Sequence, residues 1–380
     1  MSLKIGIEAQ RLFRPKKHGM DIVALELIKA LHAYDAENEY HIFVKNDADS
    51  RCLELSNPNF HMHILPAAPY PVWEQMYLPY YASRLKLDIL HCTGNTAPLV
   101  YFGKKVVTLH DIIFLESNPL NKGTVYQRFG NLYRRLLVPL MVRNTDLLIT
   151  VSNFEQATIK KHFGSADDNV RVVYNGVGKH FFKKSTTTEI EHAREKYSLP
   201  KKFILFLGNE NPKKNLLNVV RAYSMYLDEI PDGLDLVVLD FPPGALRQFV
   251  EREHLNRLVI KKTYSPGYIS NAELPSVIQA CEIFLYPSLR ESFGIPILEA
   301  MACSVPVITS KTSSMPEVAG DAALMVDPLS PVEIKESIIK LVLDKQLRET
   351  LVEKGIKRSA DFSWEAAAKR SLQIYSLFKK

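Results

Sequence analysis

Two glutamates, Glu291 and Glu299, bracket a glycine–proline turn in the stretch PSLRESFGIPILEAMACSVPVITS, Pro287 to Ser310. Ionised carboxylates are strong bidentate acceptors, and sugar hydroxyls are natural donors to them. The stretch follows an apolar run, EIFLYPS, passes through a loop, and resumes as a helix, IPILEAMA. This places Glu291 on the loop and Glu299 inside the helix. Pro296 suits a first helical turn, where its missing N–H costs nothing. Gly294 allows the backbone to come close to a ligand. The N–H groups of Phe293, Gly294 and Ile295 would point out of a positive helix end, which suits a diphosphate. Glu291 then reaches hydroxyls beyond the phosphates, and Glu299 can hold a vicinal diol such as a ribose. The stretch describes half of a site for a nucleotide-linked sugar.

Two other places carry suitable chemistry. In LFLGNENPKKNLLNVV, Lys213 and Lys214 stand before a helix, where cations oppose the helix dipole unless an anion joins them. In VVTLHDIIFLE, His110 ends a buried run and can donate a hydrogen bond to a sugar hydroxyl, although a lone strand-end histidine also serves structure. Neither a G-x-G-x-x-G nor a G-x-x-x-x-G-K-[ST] is present, which excludes Rossmann hydride transfer and P-loop phosphate chemistry. Asp47-Ala48-Asp49 makes a D-x-D that reads as a solvated turn. The four cysteines stand singly and the eleven histidines form no ligand spacing, so no metal is expected.

The elements that position these residues follow from an alternation. Short apolar, β-branched runs recur between helical patterns: KIGIEA, YHIFVK, FHMHILP, DILHCTG, KVVTLHD, DLLITVS and RVVYNGV, then FILFLG, LDLVVLD, RLVI, EIFLYPS, VPVITS and ALMVDP. Seven strands and then six predict an α/β protein of two doubly wound parallel-sheet domains. The chain of 380 residues is too long for one comfortable core. The expected domains are 1–178 and 195–362, with a final helix over 363–380 returning to the first, and ligands in a cleft at the carboxyl ends of the strands.

A net charge of +6 is mild for this length and argues against nucleic acid as a partner. Residues 101–150 hold seven Lys/Arg against three Asp/Glu, with Arg128, Arg134 and Arg135 beside aromatics. This helix reads either as a solvated face or as a surface leaning on anionic lipid headgroups. With no secretory signal and no spanning run, the expected location is cytoplasmic, with peripheral contact at the inner membrane face as the alternative.

HD after a strand, VSNFEQATI, VVYNGV, PKKN and the long motif with its SSMPEVAGDAAL partner resemble retaining glycosyltransferase family four, the group 1 glycosyltransferases. The resemblance runs over nearly the whole chain. It implies a GT-B fold, two Rossmann-like domains facing a central cleft, and metal-independent transfer of a hexose from a nucleotide-diphosphate sugar. GDP-mannose is the first candidate donor, and a saccharide or lipid-linked saccharide hydroxyl the acceptor. By this resemblance Glu291 contacts the donor sugar and Glu299 the ribose. Phe293, Gly294 and Ile295 form the turn under the sugar and diphosphate, while Lys214, aided by Lys213, stabilises the leaving diphosphate. His110 lies near the donor sugar and Gly19 in the loop approaching the phosphates. The chain departs from the pattern with Asn209, Ser292 and Asp240, and with one glycine in KKHGMDIV. A GT-B epimerase or phosphorylase, or a nucleotide-binding protein without transfer, are the competing readings.

Overall fold

The computed structural model describes residues 2–116, 125–164, 169–208, 211–239 and 243–379. They form two compact units, one of residues 1–176 with 363–380 and one of residues 177–362.

The first unit holds β1 (Lys4–Glu8), β2 (Glu39–Lys45), β3 (Phe60–Leu65), β4 (Ile89–Cys92), β5 (Lys104–Thr108), β6 (Leu147–Thr150) and β7 (Val170–Val172). They pair in the order β3-β2-β1-β4-β5-β6-β7, all parallel. Parallel strands need a crossover each and are covered on both faces, which is why β4 and β6 are largely apolar and buried throughout. β3, at the edge, instead exposes His61, Met62 and Ile64.

The second unit holds β8 (Phe203–Phe206), β9 (Asp235–Val238), β10 (Thr263–Tyr264), β11 (Ile283–Tyr286), β12 (Val307–Ser310) and β13 (Leu324–Val326), in the parallel order β10-β9-β8-β11-β12-β13. One run is corrected here. RLVI is not a strand: Leu258–Lys261 makes a helical turn, and the strand is the following Thr263–Tyr264. Asn256 Oδ1 accepts the Leu258 N–H at 2.9 Å and starts the turn, which buries Val259. A four-residue apolar run has no period long enough to separate the two states.

The polar stretch after Gly178 contains the helix Thr187–Tyr197, opened by a capping box of Thr186 and Glu189. It packs in the second unit, where Lys196 and Tyr197 both reach Glu273. The last helix, Trp364–Ser376, is capped by Ser363 Oγ accepting from the Ala366 N–H at 3.1 Å. It returns to the first unit, where the buried Tyr375 hydroxyl lies 2.7 Å from His91 Nδ1. Gly176 makes that return feasible: a Cβ there would stand 2.2 Å from the Trp364 backbone nitrogen.

The switch in strand order falls beside β1 and β4 in one sheet and beside β8 and β11 in the other. Loops diverge at such points and leave a crevice beyond the strand ends.

Candidate active site

In the second unit, β8 and β11 lie side by side and their following loops are stitched together. Asn215 sits in the left-handed conformation at φ 66° between a 3₁₀ turn, Pro212–Lys214, and the helix Leu216–Glu229. Its side-chain amide donates to the carbonyls of Pro287 at 2.9 Å and Pro328 at 2.5 Å, and the Leu289 N–H donates to the Lys213 carbonyl at 2.8 Å. Both lysines are thereby held against the loop after β11.

Lys214 Nζ donates to Glu291 Oε1 at 2.8 Å and to the Tyr286 hydroxyl at 2.6 Å, and it lies 4.6 Å from the Tyr286 ring centre. Lys213 Nζ is 3.8 Å from Glu291 Oε2. Burial alone would raise the Glu291 carboxyl, but the charges of Lys214 and Lys213, with hydrogen bonds from Lys214 and Tyr286, hold it at about 2. The Glu291 carbonyl is fixed by the Ser313 hydroxyl at 2.6 Å, and the Ser314 hydroxyl lies 2.9 Å from it and from the Phe293 carbonyl.

Past this loop Gly294, at φ +103°, begins the helix Ile295–Ala302. Only glycine occupies that backbone region without strain, and an added Cβ would also press on Ile297 at 3.1 Å. The N–H groups of Gly294 and Ile295 head the helix, where no preceding turn supplies acceptors. Glu299 projects from the second turn, half-buried, with no hydrogen-bond or ion-pair partner among the described residues. Burial pushes its carboxyl up to about 8.

The structure therefore gathers Lys213, Lys214, Glu291, Phe293, Gly294, Ile295 and Glu299 in the second unit, while Gly19 and His110 belong to the first. Gly19 is the exposed first residue of the helix Gly19–Tyr34, and a side chain there would meet nothing within 4 Å. His110 follows β5 and is buried. Its Nε2 lies 3.0 Å from the Thr93 carbonyl, so Nε2 carries the proton and donates it there; the expected donation to a sugar hydroxyl is corrected, since Nδ1 is left as an acceptor. Burial holds this imidazole below its usual range, which favours the neutral ring. Asn209 and Asp240 lie outside the described residues, and Ser292 is half-buried. Asp49 of the D-x-D pairs with Lys17, and no cluster of three or more metal-ligating side chains occurs among the described residues.

A second group in the first unit escaped the sequence reading. Glu8 ends β1, buried, accepting from the Gln10 N–H at 3.0 Å and the Thr93 N–H at 3.3 Å. Burial pushes its carboxyl up to about 7. Glu74, on a π-helical turn (Trp73–Tyr77), collects the hydroxyls of Tyr70, Thr96 and Tyr133. A cleft beside them is lined by Glu8, Gln10, Arg11, Asp21, Tyr70 and Thr93, with the Arg11 guanidinium 5.0 Å over the Tyr70 ring. An acidic residue closing the apolar run of β1, IGIE, was the available signal.

Comparison with known proteins adds to this geometry. Residues 188–358 match the family described as glycosyl transferases group 1, and residues 18–179 match Glycosyltransferase Family 4. O-antigen chain mannosyltransferase B of Escherichia coli is 30% identical over 279 residues, which are 72% of this chain and 70% of that protein. Serotype-specific mannosyltransferase WbdA of Escherichia coli is 27% identical over 72% of this chain, which spans about a third (33%) of WbdA's own length. Among solved structures, Anabaena Alr3699/HepE in complex with UDP and glucose has a TM-score of 0.73 at 19% identity, covering 98% of this chain and 99% of that one, a likeness of fold.

Proposed function

The chain belongs to the group 1 glycosyltransferases, of GT-B fold, and from that premise we propose that it moves a hexose from a nucleotide-diphosphate sugar to a glycan or lipid-linked acceptor hydroxyl with retention of anomeric configuration. Mannose from GDP-mannose is the proposed donor, supported by the names of the 27–30% identical relatives, which also point to polysaccharide assembly.

One observation carries the reading: two lysines converge on the buried Glu291, and about two turns along the same segment stands a carboxyl with no hydrogen-bond or ion-pair partner among the described residues. A diphosphate approaching Lys213 and Lys214 competes with Glu291 for their charge. The freed Glu291 carboxylate then accepts from sugar hydroxyls, while Glu299 accepts from the ribose diol. In the reaction the bond between the anomeric carbon and the diphosphate oxygen breaks. The acceptor oxygen bonds to that carbon from the same face, and its proton passes to the departing diphosphate. The lysines and the N–H groups of Phe293, Gly294 and Ile295 stabilise the charge that develops. His110 orients the sugar by accepting a hydroxyl hydrogen at Nδ1, and Gly19 leaves the phosphates room. We assign no resident cofactor and a metal-independent reaction.

Thermal shifts of the protein with GDP, UDP, ADP and dTDP, with and without EDTA, test this. A ligand at about a hundred times its Kd adds about 2.7 kcal/mol, a shift of several degrees. A shift with one nucleotide that survives EDTA is expected, with labelled GDP-mannose then giving transfer. No shift with any nucleotide would overturn the assignment of Glu291 and Glu299.

A further inference from the structure

The helix Val125–Arg143 carries a row of large apolar side chains in solvent: Phe129 is 71% exposed, Leu132 53%, Leu136 66% and Leu140 50%. At 3.6 residues per turn these four fall within an arc of roughly 80°. They are not a core face awaiting cover by slack packing. The opposite side of the same helix buries Leu137, Val138 and Met141, and the Tyr133 hydroxyl donates to Glu74. Scattered exposed apolar residues are ordinary, but a contiguous row on a firmly anchored helix marks an interaction surface.

Charge selects the occupant. The helix VYQRFGNLYRRLLVPLMVR has four arginines and no acidic residue. Arg135 is exposed on one flank of the row, and Arg143 is exposed in the last turn, in register with the row itself. The side chain of Arg128 lies outside those described. Phe102, almost fully exposed, immediately precedes β5 at the amino ends of the strands, where the Lys104–Asp146 pair at 2.8 Å joins the segment after this helix to β5. A second copy of the chain docked through this face would set arginine against arginine across a two-fold axis. An anionic bilayer offers what the face lacks, with acyl chains for the leucines and phosphate oxygens for the guanidinium groups.

We propose that the Phe129–Leu132–Leu136–Leu140 face, with its arginine rim, lies on an anionic lipid surface and holds the protein at the membrane. This does not rest on the catalytic assignments. It is consistent with the observation that no described helix is long and apolar enough to cross a membrane, since such a face lies in the interface and does not span it.

Co-sedimentation of the full chain with vesicles tests it, using phosphatidylcholine alone and phosphatidylcholine mixed with phosphatidylglycerol, at low and high salt. Binding to the anionic vesicles, weakened by salt, is expected. The double variant L132S/L136S should weaken it at least tenfold, about the effect of losing one buried leucine, and R143E about fivefold or more. Melting temperature and the nucleotide-induced shift should stay at wild-type values in both variants, which separates this test from that of the donor site. Absence of binding to anionic vesicles, or binding that survives L132S/L136S, would overturn the proposal. So would a dimer in sedimentation velocity that L132S/L136S dissociates while vesicles capture nothing, which would give the face to a second copy.

Discussion

Glu291 and Glu8 occupy comparable places in the two units. Each is a buried carboxyl at or just beyond the carboxyl end of an interior strand, next to the switch in strand order. Their electrostatics are opposite. Glu291 meets two lysines presented by the neighbouring loop and is held at about 2. Glu8 has backbone N–H partners and the nearby Glu74 carboxylate, with the Arg11 charge in its favour, and burial lifts it to about 7. The difference teaches what each region can receive. The second unit has positive charge that its own carboxylate only partly occupies, which suits a polyanion. The first has a carboxyl near neutrality beside a small polar cleft, which suits a neutral hydroxyl. Glu299 shows the same rule within the second unit: with burial and no lysine acting on it, it goes to about 8.

The largest expected break of this contrast is Lys214→Ala. It removes the main charge on Glu291 and the proposed leaving-group partner, and kcat/KM should fall about 10²–10³-fold, by the scale of one lost oxyanion donor. Full turnover in a labelled-donor assay would end that assignment for Lys214.

Next is Glu299. Its raised pKa makes the carboxyl largely protonated at pH 7, while a diol donating to it favours the ionised form. Nucleotide affinity should therefore rise with pH by up to about tenfold per unit below pH 8, one proton being released on binding. Calorimetry across pH would show this slope, and Glu299→Gln should flatten it. Folding stability has the opposite sign. A carboxyl raised from 4.5 to about 8 binds its proton more tightly in the folded state, so its contribution is lost as pH rises through that window. Glu299→Gln should therefore raise the melting temperature more at pH 8.5 than at pH 5. Glu291, depressed to about 2, contributes stability above pH 4.5 that is lost as pH falls towards 2.

A smaller effect separates two glycines. Gly294→Ala places a side chain at φ +103° and should cost about 1–3 kcal/mol of stability by chemical denaturation. Gly19→Val meets open space, so its stability should stay within about 0.5 kcal/mol of wild type. If Gly19 makes room for phosphates, the same variant weakens nucleotide binding in a titration; equal Kd values would remove that role.

The mildest is Glu8→Gln. It should raise the acceptor KM a few-fold and move the pH profile near 7, leaving the nucleotide-induced shift unchanged. A changed nucleotide shift would collapse the distinction between the two regions.

Much of the fold was legible in the chain because buried parallel strands write themselves as continuous apolar runs: FILF and IFLY need no partner to be recognised. RLVI failed because one helical turn and one short strand look alike at four residues. In the candidate site, Glu291, Gly294 and Glu299 share one segment and could be read together, and the lysines stood out as a pair against a helix dipole. Tyr286 and Asn215 could not. Tyr286 looked like one more core aromatic, and Asn215 acts on the carbonyls of Pro287 and Pro328, 72 and 113 residues away. Glu8 and Thr93 likewise meet only because β1 and β4 pair.

By itself, then, the sequence determined the alternation of strand and helix, the two-sheet architecture, and the chemical types available at the turn after β11, since these depend on local period, turn geometry and residue chemistry. The tertiary structure decided which of those groups carry charge. Protonation depends on burial and on partners distant in the chain, and only folding brought Lys213 and Lys214 to Glu291 while leaving Glu299 and Glu8 without them.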